Sequence, residues 1–194
     1  MVLPHSHVDP GWLKTFENYY AQTTHSILDN LVAKLTQHKN MTFIWTEIAF
    51  FAMWWDGALP AKKRQILKLV DEGRLEFTSG TWVMTDEATP HLYSMLDQMI
   101  EGKKYLEKKT KRKTRQTKRI SNFQKGHQWL KSHLGVSPKS AWSVDPFGHG
   151  PVAPYLLHAA GLKNTVVQRI HYGTCTIRPQ IFHSLLSFFL YNIK

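Results

Sequence analysis

Pro4-His5-Ser6-His7-Val8-Asp9-Pro10-Gly11-Trp12, near one end of the chain, and Ser143-Val144-Asp145-Pro146-Phe147-Gly148-His149, far along it, share one design. Each sets metal-capable side chains where an apolar strand pattern breaks at a proline. In an extended strand residues two apart point to the same side, so His7 and Asp9 can face one ligand, with Pro10 and Gly11 ending the strand behind them. Asp145 meets the equivalent break at Pro146. If both strands lie in one parallel sheet, His7, Asp9 and Asp145 converge at its carboxyl edge, where α/β folds place their ligands. One imidazole and two carboxylates make most of a zinc site.

Outward from these breaks the pattern alternates. A strand is predicted over residues 2–7, then a helix over 12–38 with Phe16, Tyr19, Tyr20, Ile27, Leu28, Leu31 and Leu35 at helical spacing. Further strands are predicted over 42–45, 75–78, 141–144 and 165–170. Helices are predicted over 48–55, 62–72 with Gly73 as its cap, 90–101, 127–134, and 152–160 ended by Gly161. Five strand-and-helix units in alternation imply an α/β fold built on a parallel sheet or barrel.

The chain of 194 residues carries 25 Lys and Arg against 14 Asp and Glu, but the excess is local. Eleven of the basic residues fall within 103–125, where Glu107 is the one acid, which leaves 14 basic and 13 acidic residues elsewhere. The high charge is therefore not a footprint for nucleic acid over the whole surface, and no nucleic-acid partner is expected. Residues 103–125 have no apolar period, and their like charges repel and stay solvated, so they read as a disordered surface insertion. Without them, Glu101-Gly102 would run onto His127-Gln128-Trp129-Leu130 as one amphipathic element.

One cysteine, Cys175, excludes an intramolecular disulfide and says little about compartment. No signal-peptide pattern precedes the His5 motif, so any targeting element is expected upstream. The apolar run over 181–193 contains His183, Ser184 and Ser187 and is shorter than the roughly 20 residues of a membrane-spanning helix. After Tyr172 the alternation stops, and the chain is expected to be cut short, with 173–194 an atypical tail.

Each candidate has a plainer reading. Asp before Pro commonly starts a turn, and a buried His can simply be hydrogen-bonded. Two such breaks, with Trp12 after one and Phe147 after the other, favour a ligand site, because aromatic faces beside carboxylates suit a sugar with apolar C–H faces and hydroxyls. His5 shares a strand face with His7 and could be a further ligand, although packing or an outer hydrogen bond is the readier account, and the same holds for His149. Asp86-Glu87 could be an acid/base pair, but carboxylates capping a helix explain them more simply. Trp54, Trp55 and Trp82 read as core. Asn40-Met41-Thr42 matches a glycosylation sequon, a pattern short enough to arise by chance. There is no phosphate-binding glycine loop and no Gly-x-Ser-x-Gly elbow.

Four ordered blocks carry a family resemblance: residues 4–16, Trp82-Val83-Met84-Thr85-Asp86-Glu87-Ala88, Asp145-Pro146-Phe147-Gly148-His149, and Gln168-Arg169-Ile170-His171-Tyr172. Through them the chain resembles the α-mannosidases of glycoside hydrolase family 38, nearest to the Golgi α-mannosidase II type, from about Val2 to Tyr172. The resemblance implies the N-terminal part of a seven-stranded parallel β/α barrel, incomplete at its C-terminal end. It implies a zinc ion held by His7, Asp9, Asp145 and one further histidine. By the same match Asp145 is the catalytic nucleophile, forming a covalent mannosyl-enzyme with retention of configuration. Trp12 and Phe147 would stack on mannose and Arg169 would support the nucleophile. The implied substrate is a mannose-bearing N-glycan, the implied compartment the Golgi lumen, and any membrane attachment would come through an N-terminal anchor outside this chain.

Two positions depart from the family pattern: Val8 stands where it usually has Asn, and Thr85 where it usually has Pro. Neither removes a ligand. The basic stretch and the tail after Tyr172 are foreign to that pattern, and the family's fourth zinc ligand and proton-donating Asp lie beyond this chain, so it is expected to be inactive by itself. Two other classes stay open: a zinc-dependent deacetylase on a related barrel, using a metal-bound water, and a basic adaptor binding RNA or acidic membrane through 103–125.

Overall fold

The computed structural model describes residues 3–88, 91, 95 and 125–169. The helix expected over 12–38 starts later and is interrupted. Helix α1 spans Phe16–Tyr19, Tyr20–Thr24 form a π-helical turn, and α2 spans His25–Gln37. Thr15 sets the start, its Oγ1 accepting the Asn18 N–H at 3.3 Å as an N-cap. Trp12 lies before this cap, in a bend rather than on the helix. In the wide turn the Thr24 hydroxyl donates to the Tyr19 carbonyl at 3.4 Å, a side chain entering the helical ladder.

Strand β1 (Phe43–Trp45) leads to helix α3 (Ile48–Gly57), then α4 (Pro60–Asp71) and β2 (Leu75–Phe77). Pro60 suits the first turn of α4, where its missing N–H costs no bond. Gly73, at φ 67°, closes α4 by donating to the Val70 carbonyl at 2.9 Å. Strands β1 and β2 pair in parallel, Phe43 opposite Leu75 and Trp45 opposite Phe77. The second half comprises α5 (Lys125–Leu134), β3 (Ser140–Ser143), α6 (Val152–Ala159) and β4 (Asn164–Val167). Strands β3 and β4 are also parallel, Ser140 opposite Asn164.

Among the described residues of the strand expected over 2–7, one bridge forms. His5 faces Ile44 in parallel, and the Ile44 N–H donates to the Pro4 carbonyl at 3.0 Å. Pro4 has no N–H to extend the ladder. The two strand pairs are stitched by Ser79, whose N–H donates to the Ser140 carbonyl at 2.8 Å and whose Oγ accepts the Trp142 N–H at 2.9 Å. The spatial order is therefore the His5 segment, β1, β2, β3, β4.

This array is rolled. In a flat sheet, elements three places apart stand about 14 Å from one another. The rings of His5 and Trp142 meet at 4.9 Å. Helices α2, α3, α4 and α5 cover the rest of the core, which centres on Phe51. Its buried ring touches Trp54, Trp55, Phe77 and Trp129. Asp29 ties α2 to this layer, accepting from Trp54 Nε1 at 2.9 Å and from Lys62 Nζ at 2.7 Å. Trp54 and Trp55 are buried and Trp82 packs against the same cluster, as expected.

Apart from His91 and Met95, the helix expected over 90–101 lies outside the described residues. So do 103–124, Ile170 at the end of the last expected strand, Cys175, and the tail over 173–194. Among the described residues no helix is long and apolar enough to cross a membrane.

Candidate metal centre

The two motifs meet. His7, Asp9 and Asp145 each present a ligand atom, all within 4.8 Å of one another. His7 Nε2 stands 3.4 Å from Asp9 Oδ1 and 3.8 Å from Asp145 Oδ2, and it is buried with no hydrogen-bond partner among the described residues. An orphaned imidazole nitrogen aimed between two carboxylates fits a divalent cation, and one nitrogen with two oxygens is a donor set that zinc accepts. His7 and Asp9 converge without lying in a formal strand: the ladder ends at His5, and the next four residues belong to no helix or strand. Asp145 follows directly from β3, two residues past its end.

The site has an unforeseen member. Glu47, at the junction of β1 and α3, is fully buried, and its Oε1 lies 3.2 Å from His7 Nδ1. Hydrogen bonding to Glu47 is the largest influence on His7 and pushes its pKa up, helped by the charges of Glu47, Asp9 and Asp145 and opposed by burial. Surroundings that draw a proton to His7 will also draw a cation. Position 47 reads from sequence as an ordinary helix-entry acid. Its one signal is its place at the carboxyl end of a parallel strand.

Arg169, just after β4, places its Nε on Asp145 Oδ1, while its guanidinium lies over the Phe147 ring at 5.6 Å from the centroid. Its backbone sits at φ 59°, the left-handed region that a bulky residue rarely occupies. His149 does not join the ligands. Its Nε2 lies 3.2 Å from the Arg169 carbonyl and so braces the turn. His5 is likewise outside the group, held by its edge contact with Trp142.

Asp86 and Glu87 act on the Asp145 loop. Asp86 Oδ1 accepts the N–H groups of Ala88 at 2.9 Å and Phe147 at 3.4 Å, and Glu87 Oε2 accepts the Gly150 N–H. Burial pushes the Glu87 pKa up, opposed by the Gly150 hydrogen bond and the His149 charge. Through these bonds the pair clamps residues 147–150, while most of the helix they were expected to cap lies outside the described residues. Trp12 and Phe147 are 74 % and 65 % exposed, so each ring presents apolar surface to solvent, with one face of Phe147 under the Arg169 guanidinium.

Comparison with known proteins gives the chain a family. Residues 1–117 and 113–184 match the family described as Glycosyl hydrolases family 38 N-terminal domain. The chain belongs to that family. The two matched parts overlap within the basic stretch, and the second runs past Tyr172. Within family 38 the chain is similar to proteins named α-mannosidase 2. It is 50% identical over 173 residues to α-mannosidase 2 of Spodoptera frugiperda, covering 89% of this chain and 13% of that protein. It is 42% identical over 188 residues to α-mannosidase 2 of Homo sapiens, covering 97% and 14%. The chain thus spans only 13 to 14% of the length of these relatives. An α-mannosidase structure from Enterococcus faecalis V583 shares the fold, with a TM-score of 0.56 at 17% identity over 84% of this chain and 16% of that one. Where this family 38 chain departs from the pattern, Val8 is buried in the core and Thr85 Oγ1 is buried without a partner among the described residues.

Proposed function

We propose that this chain supplies part of the centre of a zinc-dependent, retaining α-mannosidase that removes mannose from N-glycans in the Golgi lumen. One observation carries the reading: His7, Asp9 and Asp145, from two distant motifs, offer ligand atoms within 4.8 Å of one another, with Trp12 and Phe147 exposed alongside in sequence. The rolled parallel array supports a barrel that closes with further strands, the described part being its N-terminal portion. The domain is proposed over 1–172, with 103–125 an insertion in it.

His7, Asp9 and Asp145 would hold the zinc, which when bound would fix and polarise sugar hydroxyls. Trp12 and Phe147 would take the apolar face of the sugar. An oxygen of Asp145 attacks the anomeric carbon and the bond to the leaving oxygen breaks, that oxygen taking a proton from a carboxylic acid. Water then attacks the same carbon, giving up its proton to the same acid. Mannose leaves with its configuration retained and Asp145 is restored. Arg169 orients Asp145 throughout by holding its Oδ1. The acid is assigned to sequence beyond this chain, so the 194 residues alone are expected to be inactive.

The test is hydrolysis of an aryl α-mannoside by the chain joined to the rest of its domain, with a fluorinated mannosyl donor as a trap. A covalent adduct on Asp145, and loss of turnover in Asp145→Asn, support the proposal. Deacetylation of an acetylated sugar with no adduct would replace it by water-attack chemistry, and binding to RNA or acidic vesicles that is abolished by deleting 103–125, with no mannoside hydrolysis, would point to the basic adaptor.

A further inference from the structure

We infer that Glu47 is a positioning residue, which sets the tautomer and angle of His7 so that Nε2 is free to bind the metal; this rests on the zinc reading above. A carboxylate just before a helix stands near the exposed N–H groups of the first turn and is drawn to them. Glu47 occupies that place before α3, yet its side chain makes no capping bond. Those N–H groups are satisfied otherwise: Ile48 donates to the Thr81 carbonyl at 3.4 Å and Ala49 to the Trp82 carbonyl at 2.9 Å. The Glu47 side chain is thereby released from its local task and reaches His7, 40 residues away in sequence.

Its backbone is held as well. The Trp45 indole N–H donates to the Glu47 carbonyl at 2.9 Å, and the Phe51 N–H donates to it at 3.3 Å. The residue is fully buried, and its Oε2 has no hydrogen-bond partner among the described residues. A buried carboxyl with one oxygen unmatched costs stability unless something else is gained. The gain lies at His7. With Nδ1–H donated to Glu47 Oε1, the other ring nitrogen carries the lone pair, and that nitrogen is the one facing Asp9 and Asp145. The Thr81–Trp82 segment that frees Glu47 continues to Asp86 and Glu87, which clamp the Asp145 loop. One stretch of chain thus serves both sides of the centre.

The experiment measures zinc binding to the 194-residue chain by calorimetry, together with the His7 tautomer by nitrogen NMR of the metal-free protein. Wild type is expected to bind zinc and to carry its His7 proton on Nδ1. Glu47→Ala is expected to weaken zinc about 10- to 100-fold and to lose that tautomer preference, with the circular dichroism spectrum unchanged. Glu47→Gln keeps the volume and one acceptor oxygen, so it decides the matter if Glu47→Ala fails to fold. It should retain the tautomer and weaken zinc less than Glu47→Ala does, by under about tenfold. Zinc affinity and tautomer both unchanged in folded variants would overturn the role of Glu47 alone. Absence of zinc binding in wild type, with the His7 tautomer still set by Glu47, would overturn the metal reading and leave only the orientation of the ring. A mixed His7 tautomer in wild type would overturn the inference directly.

Discussion

Arg169 reaches Asp145 from a backbone turned to φ 59°, so the side chain paired with this carboxylate depends on a conformation that an arginine occupies at a cost. Left-handed backbone at a non-glycine residue costs roughly 1 to 3 kcal/mol and persists where surrounding contacts impose it. Here the His149 ring meets the Arg169 carbonyl from one side, while Asp145 and Phe147 hold the guanidinium from the other. The strain sits beside the proposed nucleophile.

Arg169→Gly should therefore separate stability from function. Glycine accepts this backbone freely, while the half-exposed ion pair it removes is worth no more than about 1 kcal/mol. The expected melting temperature is equal to wild type or slightly higher. In the full domain, turnover of an aryl mannoside should fall, chiefly through kcat. A large drop in melting temperature would show that the ion pair, rather than the backbone, dominates.

Removing a ligand should act on metal binding before it acts on the fold. Asp9→Asn keeps the shape of a half-buried side chain and removes its charge, so zinc affinity is expected to fall by about two orders of magnitude, with little change in the apo melting temperature. In wild type, zinc at about 100 times its dissociation constant should stabilise by roughly 2.7 kcal/mol, and a chelator should reverse this. Thermal melts with and without zinc check both statements. Equal zinc shifts in wild type and Asp9→Asn would remove Asp9 from the ligand set.

Phe51 is the position where truncation should be most damaging. Its ring is fully buried among Trp54, Trp55, Phe77 and Trp129, rigid aromatics with little freedom to collapse into a void. Phe51→Ala is expected to cost about 3 to 5 kcal/mol, and Phe51→Leu clearly less, by urea unfolding.

The sequence made the fold legible where periodicity met punctuation. Strands at 43–45 and 75–77 and their helices fell close to the expected bounds, and Gly73 marks the end of α4 by a mechanism that acts locally, whereas the start of α4 lies at Pro60, two residues before the expected one. The wide turn at Tyr20–Thr24 was not legible: the apolar spacing runs straight through it, and its cause is one hydroxyl folding back. His7, Asp9 and Asp145 could be brought together from sequence because parallel strands deliver their carboxyl ends to one edge. Glu47 could not, because its neighbours describe a helix start, and only the tertiary bonds from Ile48 and Ala49 to Thr81 and Trp82 show that the start is capped by other groups. Clamping of 147–150 by Asp86 and Glu87 is tertiary in the same way.

His127 gives the chain a pH dependence of defined sign. Burial lowers its pKa from the usual 6.5, opposed by the hydrogen bond to the Ser79 carbonyl, which its Nε2 meets at 2.7 Å. That contact joins α5 to the kink between β2 and β3, at a spot so close that a Cβ on Gly126 would strike the Gly80 backbone and one on Gly80 would strike the His127 ring. No slack exists for a hydrated, charged imidazole. Because the folded value lies below the unfolded one, the unfolded chain binds more protons between the two, and stability rises with pH there. The contribution is complete above pH 6.5 and is lost as the pH falls through the folded value. Urea unfolding at pH 7.5 and at steps down to 5 should show a falling midpoint. His127→Gln keeps a donor for Ser79 but cannot titrate, so it should start less stable and respond less to acid over the same interval. Identical slopes in the two proteins would assign the acid sensitivity to other groups, with His7 the first to test. His7 shifts the opposite way, so protonating it in the metal-free protein adds stability as the pH falls.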